Sequence, residues 1–550
     1  MPDIDYTSLS SYGPEPWPDW VHGFRPHQVA AVEEIMDGYA RGKKVMVLDA
    51  PVGSGKTLIA EMVRRRLAVE GEADGSMLYV AHSRGLQAQF LADFPAAKVL
   101  MGKANYPTRD GPAWVNCGDC TATRGGTAVC KWCVDAGKCP YKVAKQQAKA
   151  ARIAVVNTAY MLAEAQTPGA LCSKRSFVCV DECDTLEGIL SGAVEFGVRE
   201  RDMAGLGELK KGVHGKTIAS WVRDDWIAAA KDEVSRMPVD GGGDVKAARR
   251  RAALVQRMSN AVRAAKGIEE GGWVRDYSYG WGLMLKPVRV DWCGQDRVWR
   301  HGERWLMMSG TVVDAETMCG GLGLERDEWE VVEVPMTFAR ENRLVRVAPV
   351  ADMSRKALEK DWVGEMGALR DAVWTVLERH AGENVLVHTV SYKLNGEVVD
   401  VVRDWADTRQ VVHGERVKVW TYDKAADRDD VLEDFKREGG VLVGPSLDRG
   451  VDLPGDLCRV QVIVKVPFPN LGDRQVAERA RGEGGGRWYA AETARTIVQM
   501  TGRGVRGSED WCVSYVLDRQ FMRWWNGEGK RLLPRWWRDA MVVELVKNYQ

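Results

Sequence analysis

Ala50–Thr57 reads APVGSGKT, set between a short apolar run and a helical pattern. Binding a polyphosphate needs close backbone approach, which Gly53 and Gly55 permit around Ser54, and N–H groups at a helix N-terminus. In that chemistry Lys56 reaches the β- and γ-phosphates and the Thr57 hydroxyl ligates Mg²⁺. A plain glycine turn is the bland alternative. The flanks favour the phosphate loop: KKVMVLD precedes it, and Leu58, Ile59, Met62, Val63 and Leu67 follow at helical spacing.

Two further groups could work on a bound triphosphate. Asp181-Glu182-Cys183-Asp184 follows the apolar run SFVCV. One strand-end carboxylate can hold Mg²⁺, and the next can orient the attacking water. Alone, such a pair is commonly a solvated turn. Gln499–Arg506 (QMTGRGVR) sets Arg503 and Arg506 three apart, on one side of a helix start. Arginines from a facing domain can stabilise the charge that builds on a transferring phosphoryl group. Isolated, they would be two surface arginines.

Cysteine supplies a third chemistry. Of 12 cysteines, five fall close together: Cys117, Cys120, Cys130, Cys133 and Cys139. In a reducing compartment clustered thiols point to metal and not to disulfides. Four of them fit a [4Fe–4S] cluster. A zinc site from Cys117, Cys120, Cys130 and Cys133 is the competitor, but it would leave Cys139 idle.

These groups need a frame of 550 residues, long enough for three or four domains. Hydrophobic residues make up 45% and charged residues 28%, a globular balance. Lys plus Arg total 77 and Asp plus Glu total 77, so any nucleic-acid contact must come from local patches. No apolar run is long enough to span a membrane and the start lacks a secretion signal, so a cytoplasmic location is expected. Short apolar runs at Met77–Ala81, Ser176–Val180, Trp305–Met308, Asn384–Val387, Val441–Gly444 and Val460–Val466 alternate with helical stretches, as parallel α/β layers do. Two regions break the rhythm. Residues 103–150 carry the cysteines, and residues 190–300 hold two helical patterns, Gly215–Met237 and Asp244–Glu270, that suggest an inserted hairpin. The basic run Lys246–Arg251 there suits either phosphate tracking or a solvated helix face.

In this order the motifs resemble the superfamily 2 DNA helicases of the DinG and XPD type. Phe24–Gln28 (FRPHQ) resembles the adenine-recognition motif, Tyr79–Phe90 motif Ia, Ser309-Gly310-Thr311 motif III, Val387–Tyr392 (VHTVSY) motif IV, Asp448–Asp452 (DRGVD) motif V, and Gln499–Arg506 motif VI. Motif II departs from the usual Asp-Glu-Ala-His, reading DECD. In the family an iron–sulfur insertion ending in Cys-Pro-Tyr lies between motifs Ia and II, where Cys139-Pro140-Tyr141 stands here. Thr108 occupies the place of the usual first ligand, so Cys117 or Cys120 must supply the fourth thiolate.

The resemblance implies two RecA-like P-loop NTPase domains, the first interrupted by an iron–sulfur insertion and a helical arch. The expected parts are 1–102, 151–190 and 301–325 for the first motor domain, 103–150 for the cluster, 191–300 for the arch and 326–550 for the second motor domain. It implies ATP and Mg²⁺ bound by Gln28, Gly53, Ser54, Gly55, Lys56, Thr57, Asp181 and Asp452, with Glu182, Gln499, Arg503 and Arg506 completing catalysis. The expected partners are single-stranded DNA and DNA junctions, the expected activity 5′→3′ unwinding in replication, repair or recombination. A translocase without processive unwinding and a catalytically silent DNA-binding scaffold are the alternatives.

Overall fold

Buried strands of β-branched residues make two sheets, each of seven strands and each wholly parallel, in a computed structural model. It describes residues 7–107, 117, 139–164, 175–200, 215–237, 245–276, 281–423, 427–445, 447, 453–502, 504–505, 507 and 509–549. The first sheet runs Trp329–Glu333, Val45–Asp49, Gly302–Ser309, Arg175–Asp181, Met77–Ala81, Ile153–Asn157, Lys98–Val99. Val45 to Leu48 and Met77 to Ala81 are at most 1% exposed, as expected of strands covered by helices on both faces. Asp49 pairs in register with Ser309 on one side and Glu333 on the other, and Asp181 pairs with Met308. The carboxyl ends of these strands therefore stand level. The loops that follow, carrying Ala50–Thr57, Asp181–Asp184 and Ser309–Thr311, emerge at one rim, where open α/β sheets place their sites.

The second sheet runs Val419–Thr421, Val441–Gly444, Val385–His388, Val460–Ile463, Val513–Asp518, Val345–Ala351, Met541–Val543. The boundary expected at 325/326 falls too early. Trp329–Glu333 pairs with Val45–Asp49 and belongs to the first sheet, because its apolar positions complete that edge before the chain crosses over.

Between Val194 and the strand Gly302–Ser309, a helical run from Lys216 to Arg236 and the helix Val245–Glu269 pack on a three-stranded antiparallel sheet, Phe196–Arg199, Trp281–Pro287 and Trp273–Asp276. Phe196, Trp226, Ala261, Ala264 and Leu283 fill the space between them. The two helices match the hairpin expected from periodicity; the sheet was not anticipated. No helix among the described residues is long and apolar enough to cross a membrane.

Candidate nucleotide site

Gly53 and Gly55 adopt φ of 82° and 81°, left-handed values that favour glycine, and Gly55 leads directly into the helix Lys56–Val69. A Cβ on Gly55 would lie 2.3 Å from Gln28 Nε2, and one on Gly53 would lie 2.2 Å from Phe338 Cζ. The loop thus leaves the first backbone N–H groups of its helix open to an anion. Lys56 Nζ donates to the Ala50 carbonyl at 3.3 Å.

The loop is held from below. Arg25 Nη1 donates to Gly53 O at 3.0 Å, and Gln28 Nε2 donates to Ser54 O at 3.1 Å. Gln28 Oε1 accepts the Arg25 backbone N–H at 2.9 Å, and the side chain is buried. The Gln28 amide thus braces the phosphate loop.

Asp181 closes its strand with a buried carboxylate. Its Oδ2 accepts the Tyr79 hydroxyl at 2.8 Å, and the Thr57 side chain faces that same hydroxyl. Tyr79 thus stands between the two residues expected to hold Mg²⁺. Burial pushes the Asp181 carboxyl up, against the opposing pull of Lys56 and of the Tyr79 bond. Glu182 follows at φ 50°, uncommon for a residue with a Cβ, and lines the cleft.

Cys183 turns inward, its Sγ 3.8 Å from Met318 Sδ. Asp184 turns to the second domain. Its Oδ1 accepts the Ser309 hydroxyl at 2.8 Å, its Oδ2 accepts Gln499 Nε2 at 3.0 Å, and Arg495 Nε stands 3.8 Å away. Gln499 and Arg495 lie on the helix Gly485–Thr501. At the near end of that helix Arg487 donates to Asp314 at 2.6 and 2.9 Å. Cations and an amide on one helix thus meet carboxylates of the first domain along the seam.

A cavity of about 820 Å³ opens between the domains, lined by Gly53, Lys56 and Glu182 on one side and Gln499, Gly502 and Val505 on the other. Arg503, Arg506 and Asp452 lie outside the described residues, as do Cys120, Cys130 and Cys133. Cys117 and Cys139 are buried. The Cys117 backbone N–H donates to Tyr106 O at 2.7 Å, and the Tyr106 ring meets Tyr141 edge-on at 5.7 Å, tying the two cysteine segments together. Among the described residues, no group of three or more metal-ligating side chains is assembled.

Tyr79 and Arg495 make contacts at this site that the motifs did not assign. Tyr79 entered the sequence reading only within an apolar run and as the first residue of the stretch resembling motif Ia, and Arg495 was not singled out.

Two RecA-like α/β domains facing across a cleft that holds a phosphate loop define a helicase-type motor fold. Residues 22–183 match the family described as type III restriction enzyme, res subunit, and residues 374–540 match the helicase C-terminal domain. A solved XPD helicase superposes with a TM-score of 0.59 at 15% identity, over 95% of this chain and 100% of that one. The structure of S. tokodaii Xpd4 gives 0.55 at 15%, over 94% and 100%. The ATP-dependent DNA helicase CHL1 of Saccharomyces cerevisiae is 26% identical over 168 residues, covering 26% of this chain and 19% of that protein. A probable ATP-dependent helicase of Methanocaldococcus jannaschii is 32% identical over 110 residues, covering 17% of each. The matched segments span less than a fifth of the length of these two curated relatives. The chain thus carries a segment matching the res-subunit family and a helicase C-terminal domain, on a fold similar to that of the XPD helicases.

Proposed function

We propose that the protein is an ATP-dependent DNA helicase that moves along single-stranded DNA and opens junctions, travelling 5′→3′ as its resemblance to the DinG and XPD type implies. The observation that carries this reading is the convergence of Lys56 and Glu182 with Gln499 on one interdomain cleft, with the buried Asp181 directly before Glu182.

Lys56 leaves the Ala50 carbonyl for the β- and γ-phosphates and offsets their charge. Thr57 and Asp181, with the Tyr79 hydroxyl between them, are the residues that would hold Mg²⁺, which would neutralise phosphate charge. Glu182 orients the attacking water. Arg503 and Arg506, beside the cavity-lining Gly502 and Val505, stabilise the transferring phosphoryl group. Asp184 reports the state of this site to the second domain through Gln499 and Arg495.

The cysteines Cys117, Cys120, Cys130, Cys133 and Cys139 would hold a [4Fe–4S] cluster, with Zn²⁺ the competing metal. The burial of Cys117 and Cys139 and the Tyr106–Tyr141 contact between their segments fit such a site. A bound cluster would stiffen the insertion near the point of strand separation.

The test is ATP hydrolysis with and without single-stranded DNA, followed by strand displacement from duplexes bearing either a 5′ or a 3′ tail. DNA-stimulated turnover with displacement only from the 5′ tail is expected. Turnover that DNA does not stimulate overturns the proposal; stimulated turnover without displacement makes the protein a translocase.

A further inference from the structure

The chain crosses from the first sheet to the second between the strands Trp329–Glu333 and Val345–Ala351. Met336, Phe338 and Arg343 of this crossing line the interdomain cavity, together with Trp536 and Trp537 of the short helix Arg535–Asp539. Phe338 lies against the phosphate loop itself, its Cζ 2.2 Å from where a Cβ on Gly53 would stand. The same ring shares the second domain's core with Leu453 and Val505. An apolar wall therefore begins where the phosphate loop ends.

The wall is held firmly. Arg343 donates through Nη1 to the Trp536 carbonyl and through Nε to the Phe338 carbonyl at 3.4 Å, and its guanidinium stands 5.6 Å from the centre of the Trp536 ring. Trp537 is fully buried and donates its indole N–H to the Thr501 hydroxyl at 2.8 Å, which fixes its helix on the end of Gly485–Thr501. Trp536 is left half-buried at the cavity.

Two properties decide what such a wall can hold. It is aromatic and stands beside an anion site, the combination that suits a flat base attached to phosphates. Its polar side-chain groups are donors: among the described residues that build it, Arg343 and the indole N–H groups donate, and no side-chain oxygen accepts. Gln28, an amide able to read a base edge with both a donor and an acceptor, has its Oε1 on the Arg25 N–H and its Nε2 on the Ser54 carbonyl.

We propose that the cleft holds the purine of its nucleotide by the face, on the wall of Met336, Phe338 and Trp536, and accepts guanine nucleotides nearly as readily as adenine ones. This rests on the nucleotide reading above. Adenine and guanine offer the same flat face and both carry an acceptor at N7; they differ at the edge, where adenine donates from N6 and guanine accepts at O6. Strong rejection of one purine needs a buried polar group left unpaired by the wrong base. A wall of donors leaves none unpaired against O6. Arg343 is the positioning residue, holding Trp536 and Phe338 in one surface through their carbonyls.

The experiment is DNA-stimulated ATP hydrolysis by the full-length protein, inhibited competitively by GTP or by inorganic tripolyphosphate. For wild type the GTP Ki should lie within about tenfold of the ATP KM, and tripolyphosphate should bind at least about tenfold more weakly than ATP, the scale of one base–aromatic stack. Trp536→Ala should raise the ATP KM and the GTP Ki about tenfold and leave the tripolyphosphate Ki unmoved, a split that general damage to the fold does not produce. Trp536→Phe, which keeps a ring, should restore purine binding. Exclusion of GTP beyond that range, or tripolyphosphate binding as tightly as ATP, overturns the proposal on wild type alone, so it is decided even if Trp536→Ala fails to fold. Unchanged purine constants in Trp536→Ala, or an equal loss of tripolyphosphate binding, also overturn it. Absence of hydrolysis by wild type sinks the nucleotide reading instead, a distinct outcome.

Discussion

Asp184 and Gln499 meet across the interdomain seam, Oδ2 to Nε2 at 3.0 Å, while the other Asp184 oxygen accepts the Ser309 hydroxyl at 2.8 Å. A residue in the fourth place of motif II thus bonds motif III and motif VI at once. An aspartate serves because both partners donate and an ionised carboxylate only accepts. Losing a buried hydrogen bond to a charged group costs ~1.5–3 kcal/mol, about tenfold or more in rate where the contact forms in the active state. Asp184→Ala and Gln499→Ala should each lower DNA-stimulated turnover by that factor. The double variant should be no worse than the poorer single one, as for residues acting as a unit. Additive losses would mean that the two act separately.

Lys56→Ala should abolish DNA-stimulated hydrolysis while single-strand binding persists, since the lysine offsets phosphate charge and DNA contacts another surface. Turnover assays paired with fluorescence anisotropy on a labelled oligonucleotide measure both. Unchanged turnover would remove Ala50–Thr57 from the nucleotide site.

Arg503→Ala and Arg506→Ala should cut maximal turnover by ~10³-fold or more, the scale of losing an arginine finger. The nucleotide KM should change far less, because such a group acts mainly in the transition state. A loss confined to affinity, at unchanged maximal rate, would make these arginines binders.

Tyr79→Phe deletes only the hydroxyl between Thr57 and Asp181. Outer partners of metal ligands are worth about 10–100-fold in metal affinity or activity. The Mg²⁺ concentration for half-maximal turnover should rise by about that factor, with DNA binding unchanged. A normal Mg²⁺ dependence would show that the hydroxyl merely fills the sheet.

The phosphate loop could be read directly because its chemistry is local: glycines, lysine and threonine within eight residues, flanked by a strand and a helix. Asp184 could be named but not assigned a role, since its partners lie 125 and 315 positions away. Tyr79 and Asp181 are likewise 102 positions apart and meet only because their strands are neighbours. The edge strand Trp329–Glu333 was missed because WEVVE mixes apolar and acidic residues, and only its pairing with Val45–Asp49 assigns it to the first domain. Gln28 shows a different limit. Its position followed from the motif, but its amide bonds to Ser54 and Arg25 depend on the loop's fold.

Cys139 begins the helix Pro140–Ala150 as its N-cap, with Pro140 in the first turn, and its side chain is buried. As one of the five clustered cysteines it would be a metal ligand. Protein purified without oxygen should therefore be brown, absorb near ~400 nm and carry about four irons per chain. Cys139→Ser should bleach it and loosen the insertion, because metal binding and folding are linked in such modules. The parallel sheets have cores of their own, so ATP hydrolysis should partly survive while unwinding falls much further. Stoichiometric zinc in anaerobic protein would make the site a structural zinc module. Equal loss of both activities would reduce the cluster to a support for the fold. Substituting Cys117 and Cys120 in turn identifies the remaining ligand: the change that bleaches the protein marks the thiolate that stands in for the one missing at Thr108.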